Sequence, residues 1–274
     1  MDHRVKCEVK FDTGRFFGIS ESGRRGGQVR LSIKIFFAIA IFSLTAKAGE
    51  EEKCDFSVGA DIVSTYVWRG SYQAGTSIQP AMEFTVGGFS AGAWGSVDIA
   101  GFGYKEVDLM ASYSFQNFTA GLTNYWVGGE GNYNYFDFSN TTIHLLEINF
   151  LYSFDCFPLT LGWNTIIAGD EMYTKYENNR KLKKAFPTYL EATYAFQMKE
   201  VHLDVALGVS PWKSSTMYNR FDEGGRNDGF SVINLAMTAS KKIKITDRYS
   251  LTFFGQLVLN PSKEDVFFVC GIKF

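Results

Sequence analysis

Val107-Asp108-Leu109-Met110-Ala111-Ser112-Tyr113-Ser114-Phe115 and Leu190-Glu191-Ala192-Thr193-Tyr194-Ala195-Phe196 alternate apolar and polar or small residues, with Met110 the one break. Period two places one set of side chains on each face of an extended strand. Phe56-Ser57-Val58-Gly59-Ala60-Asp61-Ile62 repeats the pattern. Working outward from these three, the alternation continues over 77–86, 89–100, 105–115, 118–127, 143–154, 158–168, 187–197, 201–210, 229–240, 248–259 and 265–274, so the chain reads as twelve strands. Many of them run to about ten residues, longer than the five or six of an ordinary globular strand and matched to the 9–11 that a tilted strand needs to cross a bilayer.

The connections alternate as well. Short ones fall at Gly87-Gly88, Gln116-Asn117, Asp155-Cys156-Phe157 and Met198-Lys199-Glu200, with a somewhat longer one at 241–247. They follow the even strands. Long loops at 128–142, 169–186 and 211–228 follow odd ones. Short turns at one end and long loops at the other are the asymmetry of an outer-membrane barrel. The expected fold is all-β: a closed antiparallel up-and-down barrel of about twelve strands spanning 49–274.

Composition agrees. Of 274 residues, 16% are aromatic and 20% charged, with 27 glycines and 5 prolines. The aromatic content and a net charge of −2 exclude a disordered chain. A mean hydropathy of −0.08 excludes a bundle of membrane helices. No basic stripe suits a nucleic-acid partner.

Residues 29–48 read as an address. A short basic start, Val29-Arg30-Leu31-Ser32-Ile33-Lys34, leads into the apolar run Ile35 to Thr45 and then Ala46-Lys47-Ala48, an A-x-A cleavage site. A single membrane anchor is the alternative, but the run is short for a hydrocarbon core. Cleavage near Ala48 is expected, with residues 1–28 a non-structural extension or start-site artefact. Beyond it lie Cys54, Cys156 and Cys270, an odd number that gives no complete disulfide framework. Cys54 and Cys270 approach each other only if the chain ends pair.

With the short turns at the bottom, Phe56, Phe89, Phe115, Phe118, Phe154, Phe196, Tyr249 and Phe274 fall near the lower rim on the apolar face, and Tyr66, Trp68 and Phe230 near the upper rim. Two aromatic belts around an apolar band are the expected girdles of a bilayer-spanning barrel. The competing reading is a secreted lipocalin-like barrel or jelly roll with its apolar face inside. The chain ends in Val266-Phe267-Phe268-Val269-Cys270-Gly271-Ile272-Lys273-Phe274, which resembles the terminal signal that barrel-assembly machinery recognises.

Ser64-Thr65-Tyr66-Val67-Trp68-Arg69-Gly70, followed by Ile78-Gln79-Pro80-Ala81 and Gly92-Ala93-Trp94-Gly95-Ser96-Val97-Asp98, resembles the start of an uncharacterised, porin-like bacterial group labelled Gcw_chp. The resemblance covers 56–127. It implies an outer-membrane barrel and no particular solute.

Strand parity then gives an inward set: Asp61, Glu83, Asp98, Asp108, Glu147, Glu191 and Asp204, with Arg69 at the top and His202 and Lys273 lower down. Rings of carboxylates favour cations. The expectation is a porin-like channel for passive diffusion of cations or neutral small solutes. Two alternatives accompany it. These carboxylates could simply bond to neighbours, with Tyr125, Tyr189, Trp94 and Phe254 closing the bore. The protein could also be structural or adhesive, acting through its loops. Arg69 itself either projects into the upper lumen or anchors at the rim. No catalytic residues, metal ligands or cofactors are expected: His144 and His202 do not converge, no Cys/His cluster has zinc spacing, and neither a G-x-S-x-G elbow nor a phosphate-binding Gly loop occurs. The expected partners are outer-membrane lipid and the assembly machinery.

Overall fold

A strand with one apolar face leaves its N–H and C=O groups in the plane of the sheet, so each strand needs a neighbour on both sides. The computed structural model meets that need by closure. It describes residues 7–10, 54–101, 103–129, 134–137, 144–169, 173–174, 183–212, 217–218, 229–247 and 249–274. The barrel strands are β1 (Cys54–Val63), β2 (Ser77–Val86), β3 (Phe89–Asp98), β4 (Lys105–Phe115), β5 (Phe118–Gly128), β6 (His144–Ser153), β7 (Leu159–Ala168), β8 (Thr188–Met198), β9 (Val201–Ser210), β10 (Ser231–Lys244), β11 (Ser250–Asn260) and β12 (Asp265–Lys273). Each pairs antiparallel with the strand before it, and β12 returns to β1. The chain is an all-β, closed, twelve-stranded up-and-down barrel, with no helix among the described residues.

The expected strands hold to within a few residues. The largest difference is β10, which continues to Lys244, so that the connection expected over 241–247 shrinks to a turn ending at Tyr249. There the Thr246 and Ile245 amides donate to the Tyr249 carbonyl at 3.0 Å. The alternation simply persists through Lys242 and Ile243, opposite Thr252 and Leu251. Segment Cys7–Lys10 lies parallel to the start of β1, from Cys7 opposite Cys54 to Lys10 opposite Ser57. The signal-like stretch 29–48, its cleavage site and the rest of 1–28 lie outside the described residues.

The closing seam is short. Gly271, Ile272 and Lys273 face Val63, Ile62 and Asp61, and the Phe274 amide donates to the Ala60 carbonyl at 2.9 Å. This stagger separates the two cysteines. Cys270 sits beside Ser64, whose hydroxyl accepts from the Cys270 amide at 3.0 Å. Cys54 lies ten residues further down β1, about 30 Å away at the strand rise, where a bridge needs Cα atoms within about 7 Å. The approach of Cys54 and Cys270 is therefore corrected: the chain ends pair, but out of step, and the two cysteines do not meet.

The two faces of the wall are chemically opposite. Leu109, Val205, Leu257 and Phe268 stand exposed on the outside, Phe268 at 72%. Their chain neighbours Asp108, Asp204 and Gln256 turn inward, and Asp108 is 1% exposed. Phe115, Phe118, Phe196, Tyr249 and Phe274 are exposed at the short-turn end, where Phe56, Phe89 and Phe154 also lie, half-buried. Phe154 stacks on Phe157 with centroids 4.8 Å apart. Phe230 is exposed at the opposite end. Tyr66 and Trp68, expected beside it in an upper belt, are instead 6% and 3% exposed, because the segment that carries them turns into the barrel.

Candidate functional site

The connection after β1 does not lie on the rim. Tyr66–Trp68 and Ser71–Ala74 form a small hairpin whose two-residue turn is Arg69-Gly70. Both turn residues have positive φ, 44° and 77°, as a tight hairpin turn of the primed type requires. The hairpin reaches across the lumen. The Gly70 carbonyl accepts from Asn260 Nδ2 on β11 at 3.0 Å, and the Ser71 hydroxyl lies 2.9 Å from Lys263 Nζ in the connection after β11. Burial lowers the pKa of that Lys263 ammonium, and nearby Asp265 opposes the shift.

Arg69 is the tip. Its guanidinium forms two bonds to Glu147 on β6, Nη1 to Oε1 at 2.7 Å and Nη2 to Oε2 at 2.9 Å. Both side chains are almost wholly buried. Nη1 also donates to the Tyr218 hydroxyl. The guanidinium carbon lies 4.3 Å from the Trp68 ring centre and 4.5 Å from that of Tyr189 on β8, within cation–π range. Glu147 Oε2 accepts further bonds from Tyr125 Oη at 2.7 Å and Asn149 Nδ2 at 2.8 Å. Around this pair pack Tyr66, Trp94, Met217, Ile233 and Ile166, all buried, with Phe254 against them. The long-loop half of the lumen is filled.

Of the residues expected to line a pore, Arg69 and Glu147 meet, and the others are spread through the lumen, most of them with local partners. Asp61 Oδ2 lies 3.2 Å from Lys273 Nζ. Asp98 caps the Ala100 amide at 2.7 Å at the end of β3. Glu191 accepts from Tyr189 and Thr193, and Asp204 pairs with His202 at 3.1 Å. Glu83 is half-buried on β2, opposite Ser57 and Gly92. Asp108 is buried on β4, between Trp94 and Tyr125 on the neighbouring strands. Its Oδ1 has no hydrogen-bond partner among the described residues. The lumen is acidic in composition, but most of its charge is met locally. Towards the short turns it becomes a vestibule of half-buried Ser112, Thr119 and Thr160, with Gln197 exposed.

His144 bonds to Asn124 and to the Tyr135 carbonyl at the long-loop end, whereas His202 sits at the other end beside Gln197 and Asp204. The two do not converge. Among the described residues no group of three His, Cys, Asp or Glu side chains could hold a metal ion.

The sequence reading missed Tyr218, Asn260 and Ile233 as hairpin contacts, and missed what Gly70 does. Gly70 is also a close approach: a Cβ built there would lie 1.8 Å from the Ile233 carbonyl oxygen, a backbone atom that cannot swing aside. Gly70→Ala is therefore expected to displace the hairpin, the steric and φ conflict costing about 1–3 kcal/mol. Trypsin reads this directly, since Arg69 is buried. Cleavage after Arg69 is expected to be about tenfold faster in the variant, as opening becomes easier by about 1.4 kcal/mol; an unchanged rate counts against it.

Comparison with models of known protein families and with curated proteins found no match.

Proposed function

We propose that this barrel is a porin-like bacterial outer-membrane channel, exported with cleavage near Ala48, that passes cations or neutral small solutes by diffusion when the Arg69 hairpin is out of the lumen. The observation that carries the reading is the apolar outer wall around a polar, carboxylate-bearing interior. Strands of about ten residues, rising about 3.3 Å each and tilted near 45°, give a wall of roughly 25 Å, the height of a bilayer's apolar band. The aromatic residues at the short-turn end, Phe115 and Phe118 among them, then serve as the lower girdle. The likeness of 56–127 to the Gcw_chp group supports the same placement. In this reading the barrel's partners are lipid and the machinery that assembles it.

The filled long-loop half of the lumen favours a second reading, a structural or adhesive barrel that works through its loops. Planar-bilayer recording separates the two. The intact protein is expected to conduct rarely, and a variant with 66–74 replaced by a short Gly/Ser link is expected to conduct steadily with cation preference. Silence in both, with the barrel folded by heat-modifiable gel migration, sinks the channel reading. Anion preference removes the acidic-lumen part of it.

A further inference from the structure

We infer that the slot filled by Arg69 is the solute-recognition site of the lumen, and that it selects solutes bearing a guanidinium group. The inference rests on the channel reading above, whose solute class it names. Of the groups that hold the guanidinium, Glu147 and Tyr189 belong to the wall and Tyr218 to the connection after β9, so they stay when the hairpin leaves; Trp68, at 4.3 Å, goes with it. Glu147 on β6 offers both oxygens in one plane, at 2.7 and 2.9 Å. Tyr189 on β8 presents its ring at 4.5 Å, and the Tyr218 ring lies at 6.0 Å while its hydroxyl accepts a bond. Tyr125 and Asn149 donate to Glu147 Oε2, so the carboxylate keeps its orientation when the hairpin leaves.

A planar fork facing a carboxylate edge-on, with an aromatic ring beside it, is matched by guanidinium and poorly matched by a tetrahedral ammonium. Withdrawal of Arg69 also leaves Glu147 buried without its cation. That state is costly, so the empty slot draws in a replacement. Asp108 is buried on β4 as well, with Oδ1 unpartnered among the described residues. Arg69 is a tethered occupant at high effective concentration, and a free solute enters by displacing it.

Chemical rescue tests the assignment without relying on transport. Arg69→Ala opens the slot. Ethylguanidinium at about 10 mM, well below denaturing concentrations, is expected to restore at least half of the variant's lost thermal midpoint. It is expected to shift neither the intact protein nor the R69A/E147Q double variant. Ethylammonium is expected to need about tenfold more for the same shift, the factor that corresponds to one charge-assisted hydrogen bond. Should R69A fold poorly, its refolding yield with and without each additive gives the same readout. No rescue, equal rescue by ethylammonium, or equal rescue of the double variant overturns the assignment. Uptake by liposomes carrying the hairpin-shortened barrel then compares a guanidinium solute with a neutral one of equal size. Faster guanidinium entry supports the proposal, and entry without preference overturns it while leaving the channel intact. Rescue without entry of any solute supports the slot and removes the channel reading instead.

Discussion

Glu147→Ala is expected to destabilise the folded barrel by about 3–5 kcal/mol, the usual cost of removing one partner from a buried ion pair. The loss has three parts on one atom pair. Arg69 keeps its charge, because a guanidinium does not shed its proton in a protein, and it then lies in a lumen where its side chain is 1% exposed. Tyr125 Oη and Asn149 Nδ2 lose the acceptor they share. The space vacated lies between Tyr125 and Tyr189, which are 2% and 0% exposed and have no room to close on it without moving the wall. Urea unfolding in short-chain liposomes checks the value, with the midpoint shifting at constant slope. Removing Arg69 as well is expected to recover part of the loss, since the two effects are coupled through one contact. A single-variant loss below about 1 kcal/mol, the range of a solvent-exposed pair, would show that the hairpin tip sits in water.

The second large effect lies on the other face. Val205→Arg in the middle of β9 is expected to cost about 2–4 kcal/mol in a bilayer, the penalty for a cation on the lipid face at mid-depth. Val205 is 40% exposed and faces Met237 on β10, itself 47% exposed. In a protein surrounded by water the same substitution on so open a site would fall within about 0.5 kcal/mol, so the measurement also decides what surrounds the wall. Asp204→Asn, one residue earlier, is the control. It faces inward, where the Asp204–His202 pair is about a third exposed, and is expected to cost no more than about 1 kcal/mol.

Much of this architecture was legible in the residues because a strand has a period of two and no other way to sort its side chains. Asp108, Glu147 and Glu191 were placed inward by parity alone, and they are inward. Tyr125, Tyr189 and Trp94 were weighed as bulk that could close the bore, and they pack in its filled half. The hairpin was hidden for a physical reason. Tyr66 and Trp68 carry the same chemistry whether they anchor a rim or fill a lumen, and parity says nothing about a segment that leaves the wall. Its signal was Arg69-Gly70, a two-residue turn with Gly in its second place and a short strand on either side, which marks a hairpin. Where that hairpin points follows from long-range contacts: Arg69 meets residues 78 and 149 positions away. No local pattern encodes those distances. The paired state of the carboxylates was equally out of reach, since Asp61 finds Lys273 only after the last strand returns to the first.

The turn at Arg69-Gly70 belongs to the first connection in the barrel, yet it touches strands β6, β8, β10 and β11, which come far later in the chain. The hairpin therefore acts as a spoke: one early segment, while seated, ties together walls formed by four later strands, from Glu147 on one side of the bore to Asn260 on the other.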